Sequence, residues 1–102
     1  MKFGISEGQL KNIIQVFSEF SELKKVVLFG SRAKGTFHPG SDIDLALTFN
    51  NDVREHAAIN RIYEKLEQLN LPYSFDLLAY ERIKEQELID HIDRVGIVFY
   101  GL

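Results

Sequence analysis

The sequence predicts a small α/β (α+β) fold, one mixed β-sheet with helices mainly on one face. Three observations lead there. Apolar stripes at helical spacing alternate with short apolar runs of strand length, in the order αβ(α)βαβα(β). The 102 residues suffice for one hydrophobic core, so a single domain spanning 1–102 is expected. The composition, 45% hydrophobic and 26% charged, is that of an ordinary globular protein.

Each element has its own signal. Ser6 with Gln9 resembles a capping box, and Leu10, Ile13, Ile14, Phe17 and Phe20 follow at helical spacing, which predicts a helix near 7–22. Val26 to Phe29 is a short apolar run ending in Gly30, hence a buried strand. Ser31 to Lys34 has room for one helical turn before Gly35. Thr36 to Ser41 contains Pro39-Gly40 and reads as a loop. Asp42 to Phe49 is the second strand. Asp52 with Glu55 is a second capping pattern, and Ala58, Ile62, Leu66 and Leu69 mark a helix near 53–69, stopped by Asn70 and Pro72. Tyr73 to Ala79 is a third strand carrying Asp76. Ile83, Leu88, Ile92 and Val95 mark a last helix near 81–95, ended by Gly96, with a short fourth strand at Ile97 to Tyr100.

Composition excludes several chemistries. With no cysteine, disulfides and thiolate sites are impossible, which fits a reducing compartment. No run approaches a membrane span and the first residues lack a signal-peptide core, so a cytoplasmic protein is expected. A net charge of −3 with mixed signs argues against nucleic-acid binding through a broad basic face. His38, His56 and His91 show no metal-ligand spacing. His38 reads as a loop residue, and His56 and His91 as helix-surface residues.

The chemistry concentrates in Gly30-Ser31, ten intervening residues, then Asp42-Ile43-Asp44. By composition alone this spacing arises about once in 1000 chains of this length. Asp42 and Asp44, at i and i+2 in an extended segment, point to the same side about 6.6 Å apart, where a divalent cation or two cations roughly 4 Å apart could bridge them. The bland alternative has Asp42 capping a turn and Asp44 facing solvent. Asp76 lies inside Phe75-Asp76-Leu77-Leu78, where a charge is out of place. A third strand beside the second would bring it to the same row; otherwise it is an edge-strand gatekeeper charge. Gly30 and Ser31 can bring free N–H groups close to phosphate oxygens, or simply cap a turn. Arg32 and Lys34 could neutralise a triphosphate or leaving pyrophosphate. Gly30 to Gly35 is not a Walker A loop, because the Gly-Lys-Ser/Thr ending is absent.

Leu28-Phe29-Gly30-Ser31-Arg32-Ala33-Lys34-Gly35, then Ser41-Asp42-Ile43-Asp44-Leu45, then Phe75-Asp76-Leu77-Leu78 resemble the polymerase-β-type nucleotidyltransferase superfamily. In particular the chain resembles the minimal nucleotidyltransferases, antitoxin partners of HEPN-domain toxins. The resemblance spans about residues 10–100 and implies the polymerase-β-like fold. It implies Mg²⁺, with Mn²⁺ as the alternative ion, held by Asp42, Asp44 and Asp76, which would also be the catalytic carboxylates. A nucleoside triphosphate, ATP, would be the substrate, held by Gly30 and Ser31 with Arg32 and Lys34 alongside. The implied reaction is transfer of AMP to a tyrosine hydroxyl of a HEPN ribonuclease toxin within a hetero-oligomer. The competing expectation is a non-catalytic antitoxin that masks its partner. Against larger relatives such as antibiotic nucleotidyltransferases, no C-terminal helical domain is expected within these 102 residues.

Overall fold

The structure, a computed structural model, describes residues 1–50 and 54–101. The elements run α1 (Glu7–Ser18), β1 (Leu23–Phe29), α2 (Gly30–Lys34), β2 (Ile43–Phe49), α3 (Glu55–Glu67), β3 (Phe75–Ala79), a 3₁₀ turn (Tyr80–Arg82), α4 (Gln86–Val95) and β4 (Ile97–Gly101). The four strands form one sheet in the order β3-β2-β1-β4. β1 is antiparallel to both β2 and β4, whereas β2 and β3 are parallel, so the sheet is mixed as expected. A parallel pair needs a crossover, and α3 supplies it.

Strand alternation divides the core in two. Leu28, Leu45 and Leu47 face α1 and α3, where Ile13, Phe17, Ala58, Ile62 and Leu66 complete the main cluster. The aromatic rings of Phe17 and Phe99 meet edge to face there, with centroids 6.3 Å apart. Phe29 and Ala46 point the other way and pack with Ile92 of α4, flanked by Val27, Leu78 and Leu88. Two longer helices thus cover one face, and α4 covers part of the other. That second face carries the row of interest, with Asp44 half-buried and Asp76 exposed on neighbouring strands.

The element ends depart from sequence expectation in places. α1 stops at Ser18 rather than near residue 22, because the backbone turns after Glu19 and returns as strand by Leu23. Lys24 and Lys25 hid the beginning of that strand. They sit at a register irregularity between Leu23 and Lys25 opposite β2, where an apolar alternation is not required. The last helix starts at Gln86, not near 81, because Glu85 takes an extended φ/ψ of −76°/112° after the 3₁₀ turn. α3 ends where Asn70 and Pro72 anticipated, and Asn70 adopts the left-handed φ of 53° that asparagine tolerates. The Asp52 capping pattern lies outside the described residues. Among the described residues no helix is long and apolar enough to cross a membrane.

The Ser6 capping box is formed in both directions. Gln9 N–H donates to Ser6 Oγ at 3.2 Å, and Ser6 N–H donates to Gln9 Oε1 at 3.4 Å. Ser6→Ala should therefore lower unfolding free energy by about 1 kcal/mol, with the denaturant slope unchanged. Urea unfolding followed by circular dichroism measures this, and an unchanged midpoint would show that α1 is held by packing alone.

Candidate active site

Parallel pairing of β2 with β3 sets Asp44 directly beside Asp76. Neighbouring strands are about 4.8 Å apart, so the two carboxylates project side by side from one face. Asp42 precedes β2 by one residue and is exposed, two positions before Asp44 and on the same side. β3 is an edge strand and Asp76 is exposed, as a gatekeeper charge would be. A gatekeeper, however, gains nothing from standing opposite a like charge, which destabilises the pair. The row's electrostatics register this cost. The Asp44 carboxyl is pushed up from 3.8 to about 6 by burial first, then by the charges of Asp76 and Asp42; the Arg32 charge pulls weakly the other way.

Gly30 closes the row from the β1 side. Phe29 pairs with Asp44 across β1 and β2, and the next residue turns out of the strand at φ 74°. A Cβ at Gly30 would overlap the Asp44 carboxylate. Only glycine meets both demands, the positive φ and the close approach of a charged side chain. The five-residue α2 then runs to Gly35, which ends it at φ 81°. Ser31 is half-buried in this turn, and Lys34 is exposed at its end.

Arg32 is placed differently from expectation. It was expected beside the phosphates, but it is 2% exposed, the one polar or charged side chain buried among the described residues. Nε and Nη2 donate to Ser41 O at 3.2 and 2.8 Å, and Nη1 donates to Phe3 O at 2.7 Å. The guanidinium lies between the rings of Phe37 and Tyr73, at 5.1 and 4.9 Å from their centroids. Tyr73 O–H in turn reaches Gln9 Oε1 at 2.8 Å, within the capping box of α1. With each of its three guanidinium nitrogens donating to a backbone carbonyl, Arg32 fastens the loop before Asp42. The loop itself closes on His38 N–H donating to Ser41 Oγ and Ser41 N–H donating to His38 O, at 2.8 and 2.9 Å.

His91 was missed. It was read as a helix-surface residue, yet its Nε2 accepts the Gly30 N–H at 3.3 Å and its ring stands edge-on to Phe29, 6.2 Å between centroids. The sequence held one faint signal: His91 adjoins Ile92, the buried residue of α4, and so sits at the margin of the packed face.

The donor set is hard oxygen, and its uncompensated charge is what a divalent cation relieves. Among the described residues no three His, Cys, Asp or Glu side chains close into a ready-made metal cage. The row is open, with Asp42 outside the strand, and leaves positions for ligands from elsewhere. Such an arrangement suits Mg²⁺, which keeps water and substrate phosphate oxygens in its shell.

Residues 11–101 match the family model described as Polymerase beta, Nucleotidyltransferase. No curated protein matches the chain by sequence. Among solved structures the chain is similar to one in a crystal structure of a toxin–antitoxin with AMP-PNP, at 26% identity and a TM-score of 0.72, covering 91% of this chain and 73% of that one. It shares its fold with a chain of the tri-AMPylated Shewanella oneidensis HEPN toxin in complex with MNT antitoxin, at 20% identity and a TM-score of 0.68, covering 96% and 74%. A chain of the MntA–HepT toxin–antitoxin also shares it, at 20% identity and a TM-score of 0.66, covering 95% and 74%.

Two measurements check this geometry. Between 3.8 and about 6 the folded state binds more protons at Asp44 than the unfolded state, so stability falls as pH rises through that window. Asp44→Asn should flatten that part of the profile and stabilise the metal-free protein at neutral pH, by about 1 kcal/mol or less after solvent screening. Unfolding free energies across the window decide it, and an unchanged slope would mean that Asp44 ionises normally. Arg32→Lys keeps the charge but loses the fork and the ring stacking, and should cost about 3 kcal/mol. A calorimetric melting point equal to that of the parent would refute the clamp.

Proposed function

The chain belongs to the polymerase β nucleotidyltransferase family, and from that premise we propose that it transfers AMP from ATP to a tyrosine hydroxyl of a HEPN-type toxin, as the toxin's antitoxin. The single observation that carries the proposal is the register of Asp44 beside Asp76, with Asp42 ahead of them and Gly30 pressed against Asp44. Like charges gathered at one spot are costly, and such clusters are characteristic of functional sites.

The residues divide the work by position. Asp42, just ahead of β2, and Asp44 within it would hold Mg²⁺ or Mn²⁺, and Asp76 would complete the set from β3. A divalent cation bound there supplies charge neutralisation and polarisation at the α-phosphate. Asp76, exposed on the edge strand, orients the acceptor hydroxyl and takes its proton. Gly30 admits the triphosphate because no side chain blocks the approach, and Ser31 offers its hydroxyl from the same turn. Lys34 is exposed near the end of the turn, as a counter-charge for pyrophosphate requires. Arg32 contributes through the Ser41 carbonyl, fixing the backbone that delivers Asp42.

The acceptor comes from outside. Asp42 and Asp76 are exposed on an open sheet face, and in-line attack on the α-phosphate needs an oxygen positioned there. A partner surface presenting a tyrosine closes the site, which makes the working unit a hetero-oligomer. The similarity to chains of toxin–antitoxin structures supports a HEPN partner, and the AMPylated toxin in one of them supports the modification. The lack of cysteine fits action in the reducing cytoplasm.

Incubation of the purified chain and its partner with Mg²⁺ and ATP should add nucleoside monophosphate to a partner tyrosine, seen by mass spectrometry. Asp44→Asn or Asp76→Asn should reduce the rate by about 10³-fold or more, the scale of losing a metal-bound charge stabiliser. Full protection from the toxin by a triple Asp42→Asn, Asp44→Asn, Asp76→Asn variant, with no mass change, would replace catalysis by masking.

A further inference from the structure

We propose that His91 is a phosphate-contacting residue, supplied to the nucleotide site by α4. The inference rests on the nucleotidyltransferase reading and adds a residue to it. α4 is anchored by Ile92, which packs on Phe29 and Ala46, so the helix has a fixed position relative to the carboxylate row. The preceding residue, His91, is thereby held half-buried with its ring edge-on to Phe29. Its Nε2 is aimed at the amide of Gly30, 61 residues away in sequence. Gly30 is the residue at which a Cβ would overlap the Asp44 carboxylate. A side chain from the far end of the chain thus meets the turn at the point where phosphate and metal ligands converge.

The tautomer follows from the bond. To accept from an amide, Nε2 carries no hydrogen, and neutral imidazole then has its proton on Nδ1. An anionic phosphate oxygen is a stronger acceptor than neutral imidazole. When the triphosphate takes the Gly30 N–H, Nε2 loses its donor and faces the arriving oxygen. The other neutral tautomer, with hydrogen on Nε2, then donates to that oxygen. The change needs no net proton uptake, because one ring hydrogen leaves Nδ1 for solvent as another is gained at Nε2. His91 therefore holds the turn in the free protein and becomes a ligand of the β- or γ-phosphate in the complex. AMP, which lacks those phosphates, gains nothing from it.

The test compares Mg²⁺-dependent binding of a non-hydrolysable ATP analogue and of AMP to the full chain by calorimetry. His91→Phe keeps the ring packing on Phe29 and removes both hydrogen-bonding roles; it should weaken the triphosphate about tenfold and leave AMP unchanged. His91→Gln, which can accept and donate, should restore most of the loss. Nitrogen NMR of the parent should show the His91 proton moving from Nδ1 to Nε2 on addition of the analogue. Equal triphosphate affinity in His91→Phe, tighter binding, or an equal loss for AMP would each overturn the proposal. Ser31→Ala separates the two levels of the argument. If it weakens the triphosphate while His91→Phe does not, only the role of His91 fails. If the parent binds no triphosphate, or Asp44→Asn binds it as well as the parent, the nucleotidyltransferase reading fails too.

Discussion

A buried guanidinium, with no carboxylate in salt-bridge contact among the described residues, organises this molecule. Burying an unpaired charge is costly, and Arg32 is tolerated because three of its N–H bonds end on backbone carbonyls and two aromatic faces enclose it. Those partners come from separate stretches: Phe3 at the start, Phe37 and Ser41 in the loop, Tyr73 before β3. One side chain therefore fixes the positions of three segments that share no strand or helix. Tyr73 extends the network to Gln9 and so to the first turn of α1. Among the described residues no buried side-chain nitrogen or oxygen is left without a partner, so the network is complete.

The same arrangement explains why the acidic row can exist. Asp44 sits between Gly30, which yields space, and Asp76, which repels it. Backbone pairing holds the carboxylates together against that repulsion: β2 is bonded on both sides, by β1 and by β3. Core packing beneath it, from Leu45 and Leu47, resists any slip of register. A slip of one residue would turn Asp44 into the apolar core and Leu45 out to water. Hydrophobic burial on one face thus sets the electrostatics of the other.

Much of this was legible in the sequence. The Gly30-Ser31 to Asp42-x-Asp44 spacing, the apolar runs around it and the misplaced charge at Asp76 gave the fold class and the carboxylate row. Those signals are local, or depend only on the alternation of a strand. What escaped depends on contacts distant in sequence. Arg32 looked like a phosphate ligand because it follows Gly30-Ser31, and nothing nearby shows that Phe3, Phe37 and Tyr73 enclose it. His91 looked exposed because α4 is polar around most of its surface, and its neighbour at Gly30 is set by tertiary packing. The early start of β1 was hidden by Lys24 and Lys25, whose charges contradict a buried strand although Leu23 is in the core.

The placement of β3 at the edge of the sheet has a consequence for how the site comes into being. β1, α2 and β2 are consecutive, and their antiparallel pairing closes a short loop, which chain entropy favours forming early. β3 must wait for α3 to cross the sheet before it can dock in parallel against β2. It is bonded on that one side only. Of the row, Asp76 alone depends on this edge pairing: an opening that peels β3 away takes one carboxylate out of the row while Gly30, Asp42 and Asp44 keep their places. The site is a property of the closed sheet as a whole, and the strand that completes it is an edge strand, paired with β2 alone.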